Sequence, residues 1–133
     1  MVAMMAADAA SRGLGIELVT HGEGRAQTRM TVRADMVNGY QVAHGGLVFT
    51  LADTAFAAAC NSLDAPSVAA AAEIVFVAPA RLGDELVATA AVRTTFGRTG
   101  IYDITVHRGG DVIAEFRGRS QRIPQPIPQR MTQ

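Results

Sequence analysis

Alternation of apolar and polar side chains predicts a strand over residues 24–33. One set of alternate positions there is small or apolar, and the other set carries Arg, Gln and Thr. This pattern is typical of a strand with one face against a core and one face in water. A shorter apolar run at residues 16–20 precedes it, and the His-Gly-Glu-Gly segment at 21–24 supplies the glycines of a hairpin turn. We therefore expect the first two strands to pair.

A run of Leu, Val, Phe and Ala without proline, from Gly46 to about Ser62, predicts a helix because it is too long for a typical strand. The run is apolar almost all round, which is typical of a buried central helix. Six of its small or polar residues fall within one stripe, about 100° wide at 100° per residue. The stripe consists of Gly46, Thr50, Asp53, Thr54, Ala57 and Asn61.

The second half of the chain predicts four further strands, at residues 68–78, 85–96, 101–108 and 112–123, separated by Gly, Pro and Asp turn segments at 79–84, 97–100 and 109–111. We interpret them as a four-stranded meander. Three prolines after residue 123 cannot extend a ladder, so residues 124–133 are expected to form a loose tail. The predicted fold is α+β, with an antiparallel sheet of five or six strands curled around one long central helix. It forms one domain over residues 1–133, with a core from about 10 to 122.

Composition narrows the class of protein. The chain has 133 residues, of which 49% are hydrophobic and 18% charged, so it suits one folded domain and not a disordered chain. Its net charge of zero supplies no basic field for nucleic acid or an anionic membrane. No apolar run approaches the ~18 residues of a membrane span, and no basic leader is present at the N-terminus. A cytoplasmic protein with a small-molecule partner, or a second copy of itself, is expected.

Cysteine and histidine usage argues against metal chemistry. The single Cys60 excludes an internal disulfide and a cysteine-rich metal site, and its alanine neighbours predict an ordinary buried thiol. The three histidines, His21, His44 and His107, show no ligand spacing. We therefore expect no metal.

Asp53 is the most informative residue of the sequence. It is the only charge between Asp35 and Asp64, in the middle of a helix that is otherwise suited to burial. An unpaired carboxylate in such a place costs several kcal/mol or has a raised pKa, which is typical of a functional group. The alternative is a structural Asp bonded to a backbone amide, or a stripe that faces water.

The segment His44-Gly45-Gly46 opens the same helix. Free N–H groups and the positive end of the helix dipole gather at a helix start, and Gly45 has no Cβ to obstruct a substrate oxygen. One donor at such an oxyanion site contributes ~3 kcal/mol to transition-state binding. Asn38 offers an amide for a carbonyl or a water. A plain glycine turn, a histidine bonded to a nearby carbonyl and an Asn-Gly turn are the structural alternatives.

The spacing of Gly45 and Asp53 has a consequence for assembly. Eight residues of helix span about 12 Å, too far for both groups to act on one carbon. A two-fold axis that brings Gly45 of one chain beside Asp53 of another would create two equivalent sites per dimer. The polar stripe would then line the seam between the subunits.

Taken together, these residues resemble the hot-dog-fold acyl-CoA thioesterases of the phenylacetyl-CoA (PaaI-like) type over roughly residues 10–122. The resemblance is carried by an ordered set of motifs. They are Asn38-Gly39-x4-His44-Gly45-Gly46-x6-Asp53, Ala55-Phe56, Cys60-Asn61-Ser62, Phe76, Ala78-Pro79-Ala80-x-x-Gly83-Asp84 and Gly97-Arg98-Thr99-Gly100-Ile101-Tyr102.

The resemblance implies a hot-dog domain assembled as dimers that usually pair into tetramers, and hydrolysis of an acyl-CoA thioester without a metal or organic cofactor. In it, Asp53 is the catalytic carboxylate, as nucleophile or general base, and the Gly45 N–H polarises the thioester carbonyl. Asn38 and His44 position the carbonyl or the water from the same subunit as Gly45, while Asp53 comes from the partner. The implied substrate is phenylacetyl-CoA or a ring-hydroxylated relative, although the sequence leaves the acyl group open.

The resemblance also implies substrate and CoA contacts. On the helix these are Gly46, Thr54 and Ala57, and at the rim, for the CoA phosphates, they are Arg81, Arg98, Thr99 and Gly100. Solvated hairpin arginines are the alternative for the rim positions.

The chain departs from related thioesterases at two places. It has Val-Ala-Ala-Ala-Ala at residues 68–72, where a water-orienting Ser or Thr is often found, and Ala57 where some relatives have Thr. Two other functions stay open. One is a non-catalytic acyl-CoA binding module that uses the same pocket. The other is a hot-dog dehydratase or hydratase, which is disfavoured because those enzymes pair a catalytic His with a carboxylate in a different sequence context.

Overall fold

The computed structural model describes residues 2–63 and 65–124, without the side chains of Val2 and Ala3. Two short helices begin the chain, and one long helix and six strands follow. In chain order the elements are α1 (Val2–Ala6), α2 (Ala9–Gly13), β1 (Glu17–Gly22), β2 (Arg25–Thr31), α3 (Gly45–Cys60), β3 (Ser67–Phe76), β4 (Glu85–Phe96), β5 (Thr99–Arg108) and β6 (Asp111–Arg122), with a 3-10 turn at Ala34–Met36 between β2 and α3.

The six strands form one antiparallel sheet in the order β1-β2-β4-β5-β6-β3. The sheet curls around α3, which contacts every strand. The predicted α+β fold, with its antiparallel sheet around one long helix, is therefore confirmed. Within the described residues, no helix combines the length and the apolar character needed to cross a membrane.

The first two strands pair as predicted, through a turn whose central residues, Glu23 and Gly24, have φ angles of 54° and 80°. Positive φ at both positions matches the right-handed twist of the flanking strands. A Cβ on Gly24 would lie 2.8 Å from Val92 Cγ1, so the turn also needs glycine for the close approach of β4.

The predicted four-stranded meander is wrong. Of the four strands assigned to it, only β4, β5 and β6 lie side by side in chain order, whereas β3 pairs with β6 at the far edge of the sheet. The connection between β3 and β4 does not form a hairpin because its backbone pairs with the segment that precedes α3. Ala80 O accepts the Ala43 N–H at 2.7 Å, and Arg81 forms a bridge with Val42. These bonds direct the chain across to β2, the other neighbour of β4.

The start of one strand differs from prediction, and the predicted tail is almost entirely outside the described residues. The strand β5 begins at Thr99, so Thr99 and Gly100 belong to the ladder and not to the turn. Of the predicted tail at residues 124–133, all but Pro124 lies outside the described residues.

The core lies between α3 and the concave face of the sheet. An aromatic cluster forms its centre, where the Phe56 ring centroid lies 5.5 Å from that of Tyr102 and 5.9 Å from that of Phe116. Cys60, at the end of α3, is buried as predicted, and burial raises the pKa of its thiol to about 11. The outer face of the sheet carries ion pairs such as Arg117 with Asp103, at 2.7 Å.

Candidate active site

The start of α3 is organised by His44. This residue is the N-cap, and its Nδ1 accepts a hydrogen bond from the Gly46 N–H at 3.1 Å. A nitrogen that accepts has no proton, so the neutral ring carries its proton on Nε2. The exposed His44 side chain therefore offers an Nε2–H donor beside the helix start. Gly46 is exposed, but its N–H is occupied by His44.

The Gly45 N–H is the free donor at this helix start. The hydrogen bonds among described residues include none from Gly45, whereas the amides of Leu47 and Val48 both bind His44 O. A Cβ on Gly45 would lie 3.0 Å from Phe76 Cζ. The glycine therefore lets the start of the helix pack closely against the Phe76 ring, and no side chain of its own covers the amide at the positive end of the helix dipole.

An open apolar recess of about 380 Å³ adjoins Gly45. Its lining comes from three parts of the chain, with Val48 on α3, Phe76 at the end of β3 and Ile113 on β6. None of the described residues that line it is charged, so the recess suits an apolar part of a ligand.

The side chain of Asn38 uses its oxygen for structure and leaves its N–H₂ group without a partner among the described residues. Its Oδ1 accepts from the Tyr40 N–H at 2.8 Å and from the Val42 N–H at 3.4 Å, which holds the turn before α3. The predicted turn role is thus present. The hydrogen bonds among described residues do not use the Asn38 amide N–H₂ group, which leaves two donors for a ligand.

Asp53 lies in the middle of α3 and is half-buried. Burial and, to a smaller extent, the negative charge of Asp8 raise the pKa of its carboxyl above the ordinary value. No described side chain or backbone amide bonds to it, so the alternative of a structurally paired Asp is wrong. Every fully buried polar side-chain atom among described residues has a partner, so the oxygens of unpartnered Asp53 are accessible.

A second recess, of about 290 Å³, lies beside Asp53. Its lining includes Met4 from α1, Ala57 and Cys60 from α3, and Val68 from β3. The Gly45 recess and the Asp53 recess share no lining residue. A single chain therefore does not bring the carboxylate and the free amide to one place, as the helix spacing predicts.

Of the other two helix residues predicted to contact the substrate, one faces a recess and the other is buried. Ala57 lines the Asp53 recess. Thr54 is only 6% exposed, and its hydroxyl lies 3.0 Å from Ser11 Oγ and 2.8 Å from Thr50 O. Its side chain is thus committed to packing between α2 and α3, and it does not face either recess.

The predicted rim residues lie at opposite ends of α3. Arg81 is exposed at the Gly45 end, and its N–H binds Asp84 Oδ2 at 2.8 Å. Arg98 is at the other end, beside Cys60 and Arg122. A 16-residue helix is roughly 24 Å long, so Arg81 and Arg98 of one chain cannot bind one phosphate.

The two other predicted rim residues belong to a strand. Thr99 lies in β5 beside Arg98, and Gly100 is buried between its ladder partners Thr95 and Ser120. A Cβ on Gly100 would lie 2.8 Å from Ser120 Oγ, so close packing explains this glycine without a ligand.

Sequence reasoning missed the N-terminal contribution to this region. Asp8 caps α2 by accepting the Ser11 N–H at 3.0 Å, and Ser11 reaches Thr54. The Asp-x-x-Ser spacing was a visible signal for the cap. The contact with Thr54 was not visible, because it joins residues 43 positions apart.

The comparison with known proteins identifies the family. The family model described as the thioesterase superfamily matches residues 40–115 of the chain. The chain belongs to this superfamily. The predicted identification as a hot-dog thioesterase, and as an enzyme, is confirmed.

The chain is similar to individual thioesterases over most of its length. It is 49% identical to the acyl-coenzyme A thioesterase PaaI of Escherichia coli K12, with 91% of this chain and 87% of the relative covered. It is 35% identical to human acyl-coenzyme A thioesterase 13, with 77% of this chain and 76% of the relative covered. The solved structure of the E. coli PaaI protein from the phenylacetic acid degradation operon superposes with a TM-score of 0.89 at 48% identity, covering 92% of this chain and 89% of that one.

Proposed function

We propose that the thioesterase hydrolyses acyl-CoA esters to the free acid and CoA, and that its acyl group is phenylacetyl or a hydroxylated phenylacetyl. The observation that carries the proposal is the accessible, unpartnered Asp53 carboxylate on an otherwise apolar helix that begins with a free amide at Gly45. The similarity to the acyl-coenzyme A thioesterase PaaI supports the substrate class.

The proposed reaction is attack on the thioester carbon. As a general base, Asp53 takes a proton from water, the hydroxide adds to the carbonyl carbon, the C–S bond breaks and the CoA thiolate takes up the proton. As a nucleophile, the Asp53 carboxylate adds to the carbonyl carbon and the C–S bond breaks, which releases the CoA thiolate and leaves an acyl anhydride; water hydrolyses the anhydride to the acid and the Asp53 carboxylate, and the thiolate takes up the proton. In H₂¹⁸O under single-turnover conditions, the nucleophilic route leaves the label in Asp53 or in the acid according to which anhydride carbonyl water attacks. The general-base route labels the acid alone.

Negative charge that develops on the carbonyl oxygen is held by the Gly45 N–H. Removal of one such donor typically costs 10²–10³-fold in kcat. The His44 Nε2–H and the Asn38 amide group are the neighbouring donors that orient the carbonyl or the attacking water.

The two halves of the site meet in a homodimer. The strand β3 is an edge strand whose exposed residues include Val68 and Val75, at 50% and 62% exposure. An exposed, apolar edge of ten residues is a template for a second strand, and a second copy supplies one. In this dimer Asp53 of one subunit faces Gly45 of the other. The pairing of two dimers into a tetramer is proposed from the family resemblance.

The CoA moiety is proposed to lie across the same interface. Arg81 at the Gly45 end of one subunit and Arg98 of the partner subunit supply charges that one chain cannot bring together. Gly46, Thr99 and Gly100 are proposed as their neighbours at the rim, and Ala57 as a lining residue beside Asp53. No cofactor takes part in these steps. The free thiol of Cys60 suits the reducing cytoplasm that we propose as the location.

A thiol-release screen across aromatic and straight-chain acyl-CoA esters tests the activity. We expect Asp53→Asn to lower kcat by about 10²–10⁴-fold in a folded oligomer. Asp35→Asn, which removes an equal charge from an exposed position, is the matched control. Unchanged turnover in Asp53→Asn would contradict the role of Asp53, and CoA-ester binding without any thiol release would identify a non-catalytic binding protein.

Subunit mixing tests the shared site. Gly45→Val places a branched side chain against Phe76 and blocks the amide, and Asp53→Asn removes the carboxylate. A mixed dimer has one site with both groups intact, so it should recover up to half of the wild-type activity per dimer. A mixture as inactive as the two parents, with subunit exchange shown by mass spectrometry, would refute the two-subunit site.

A further inference from the structure

A buried hydroxyl pair connects the N-terminal helices to the helix that carries Asp53. Ser11 on α2 and Thr54 on α3 are 2% and 6% exposed, and their side-chain oxygens lie 3.0 Å apart. Asp8 binds the same serine twice, because its Oδ1 accepts the Ser11 N–H at 3.0 Å and its Oδ2 accepts the Ser11 hydroxyl at 2.7 Å. The result is a continuous chain of polar contacts from Asp8 to the residue that follows Asp53.

The hydrogen bonds along these contacts fix the position of Asp8 relative to α3. Ser11 has one hydroxyl proton, and it donates that proton to the Asp8 carboxylate. Thr54 likewise donates its one hydroxyl proton, to Thr50 O at 2.8 Å, so the 3.0 Å contact between the Ser11 and Thr54 oxygens is a close packing contact of two hydroxyl groups. The carboxylate of Asp8 thus orients the Ser11 hydroxyl, and the contact of Ser11 with Thr54 holds Asp8 at a fixed place against α3.

The same N-terminal helices lie over the Asp53 recess. Met4 of α1 lines this recess. Arg12 of α2 reaches back to Ala6 O at 2.7 Å, which ties α2 to the end of α1. The position of α1 beside Asp53 therefore depends on α2, and α2 is fixed to α3 by Asp8, Ser11 and Thr54.

We propose that Asp8 is a positioning residue for Asp53. Asp8 holds its own carboxylate, and the cover formed by α1 and α2, at a fixed place beside the Asp53 carboxylate. The proposal rests on the proposed role of Asp53 in thioester hydrolysis. Asp8 contacts no substrate atom in this role, since it acts through its charge and through the Ser11–Thr54 link.

The ionisable groups around Asp53 are few in the described part of the chain. Burial raises the pKa of Asp53 most, and the like charge of Asp8 raises it further. Cys60 on α3 is a protonated thiol at neutral pH, because burial raises its pKa to about 11. The β3 residues that line the recess, Ser67, Val68 and Ala69, carry no charge. Asp8 is thus the charge nearby that opposes ionisation of Asp53.

The first test removes the charge of Asp8 and keeps its shape. In Asp8→Asn the amide oxygen still accepts the Ser11 N–H, and the amide N–H₂ group takes the place of Oδ2 and donates to the Ser11 hydroxyl oxygen. Asn is an equally good N-cap, so α2 should stay in place. Without the like charge, the pKa of Asp53 falls, and the acid limb of kcat/KM moves to lower pH, because Asp53 must be ionised to act. Asp35→Asn is the matched control and should leave the limb where it is in the wild type.

A second readout does not depend on activity. Carbon-13 NMR of protein labelled at the aspartate carboxyls follows the titration of Asp53 directly, with the resonance assigned by its loss in Asp53→Asn. The midpoint of Asp53 should be lower in Asp8→Asn than in the wild type. Ser11→Ala, which frees Asp8 from Thr54 but keeps the charge, should move the midpoint in the same direction by less. Asp8→Ser, which also keeps an N-cap, serves if Asp8→Asn does not fold.

These measurements separate the inference from the proposed function. An Asp53 midpoint in Asp8→Asn equal to that of the wild type would overturn the inference, whatever the activity. Full thiol release by Asp53→Asn would instead overturn the proposed function, even with the expected shift in the titration.

Discussion

Replacement of Gly118 by alanine is expected to destabilise the fold through one contact. Gly118 lies on β6 between its ladder partners Tyr102 and Ala72, opposite Phe56 of α3. A Cβ at this position would lie 2.6 Å from Phe56 Cε2 and 2.7 Å from Cζ. Ordinary contact needs at least 3.4 Å, so the Phe56 ring would have to withdraw.

The ring has little room to withdraw, except towards the Asp53 recess that it lines. Phe56 is 1% exposed and packs against Tyr102 and Phe116. Overpacking of a closed core costs about 1–3 kcal/mol. For a chain of this size, 2 kcal/mol corresponds to a decrease in Tm of about 6–10 °C.

Thermal and urea unfolding at one fixed protein concentration measure the effect, since stability in an oligomer depends on concentration. Gly110→Ala is the matched control, because nothing lies within 4 Å of a Cβ there. Phe56→Leu should be strongly non-additive with Gly118→Ala, by about 1 kcal/mol, because the smaller side chain relieves the collision. A Gly118→Ala protein as stable as Gly110→Ala, or full additivity with Phe56→Leu, would refute this account of the contact.

Three further predictions concern ionisable groups. Because the pKa of Asp53 is higher in the folded than in the unfolded chain, ionisation of this carboxyl opposes folding as pH rises above its pKa in the unfolded chain. Asp53→Asn should therefore have a higher Tm than the wild type at pH 7. An equal or lower Tm would contradict the burial of the carboxyl. Asp84, bonded to the Arg81 amide and to Arg108 at 2.8 Å, has a lowered pKa, so its stabilisation is present above the unfolded pKa and is lost as pH falls through the folded one. The decrease in Tm from pH 7 to pH 3 should be smaller in Asp84→Asn than in the wild type. Cys60, with a pKa of about 11, should react with a disulfide reagent at pH 8 only after unfolding, and rapid native labelling would contradict its burial.

The sequence predicted most of the local structure because local structure depends on short-range patterns. Alternation at residues 24–33 identified β2, and the apolar run after Gly45 identified α3. The lone charge at Asp53 and the glycine at the helix start marked the two halves of the candidate site. Their separation by eight residues of helix already implied that one chain does not unite them, and the two separate recesses agree with that geometry.

The tertiary structure decided what depends on long-range contacts. The place of β3 beside β6, instead of β4, follows from bonds that the β3–β4 connection makes to residues 42 and 43. Likewise, only the packing of α2 on α3 shows that Thr54 is occupied by Ser11 and that Asp8 bears on Asp53. Periodicity along a chain reveals which face of an element is buried, but not which other element buries it. That choice is made by the closure of the whole sheet around α3.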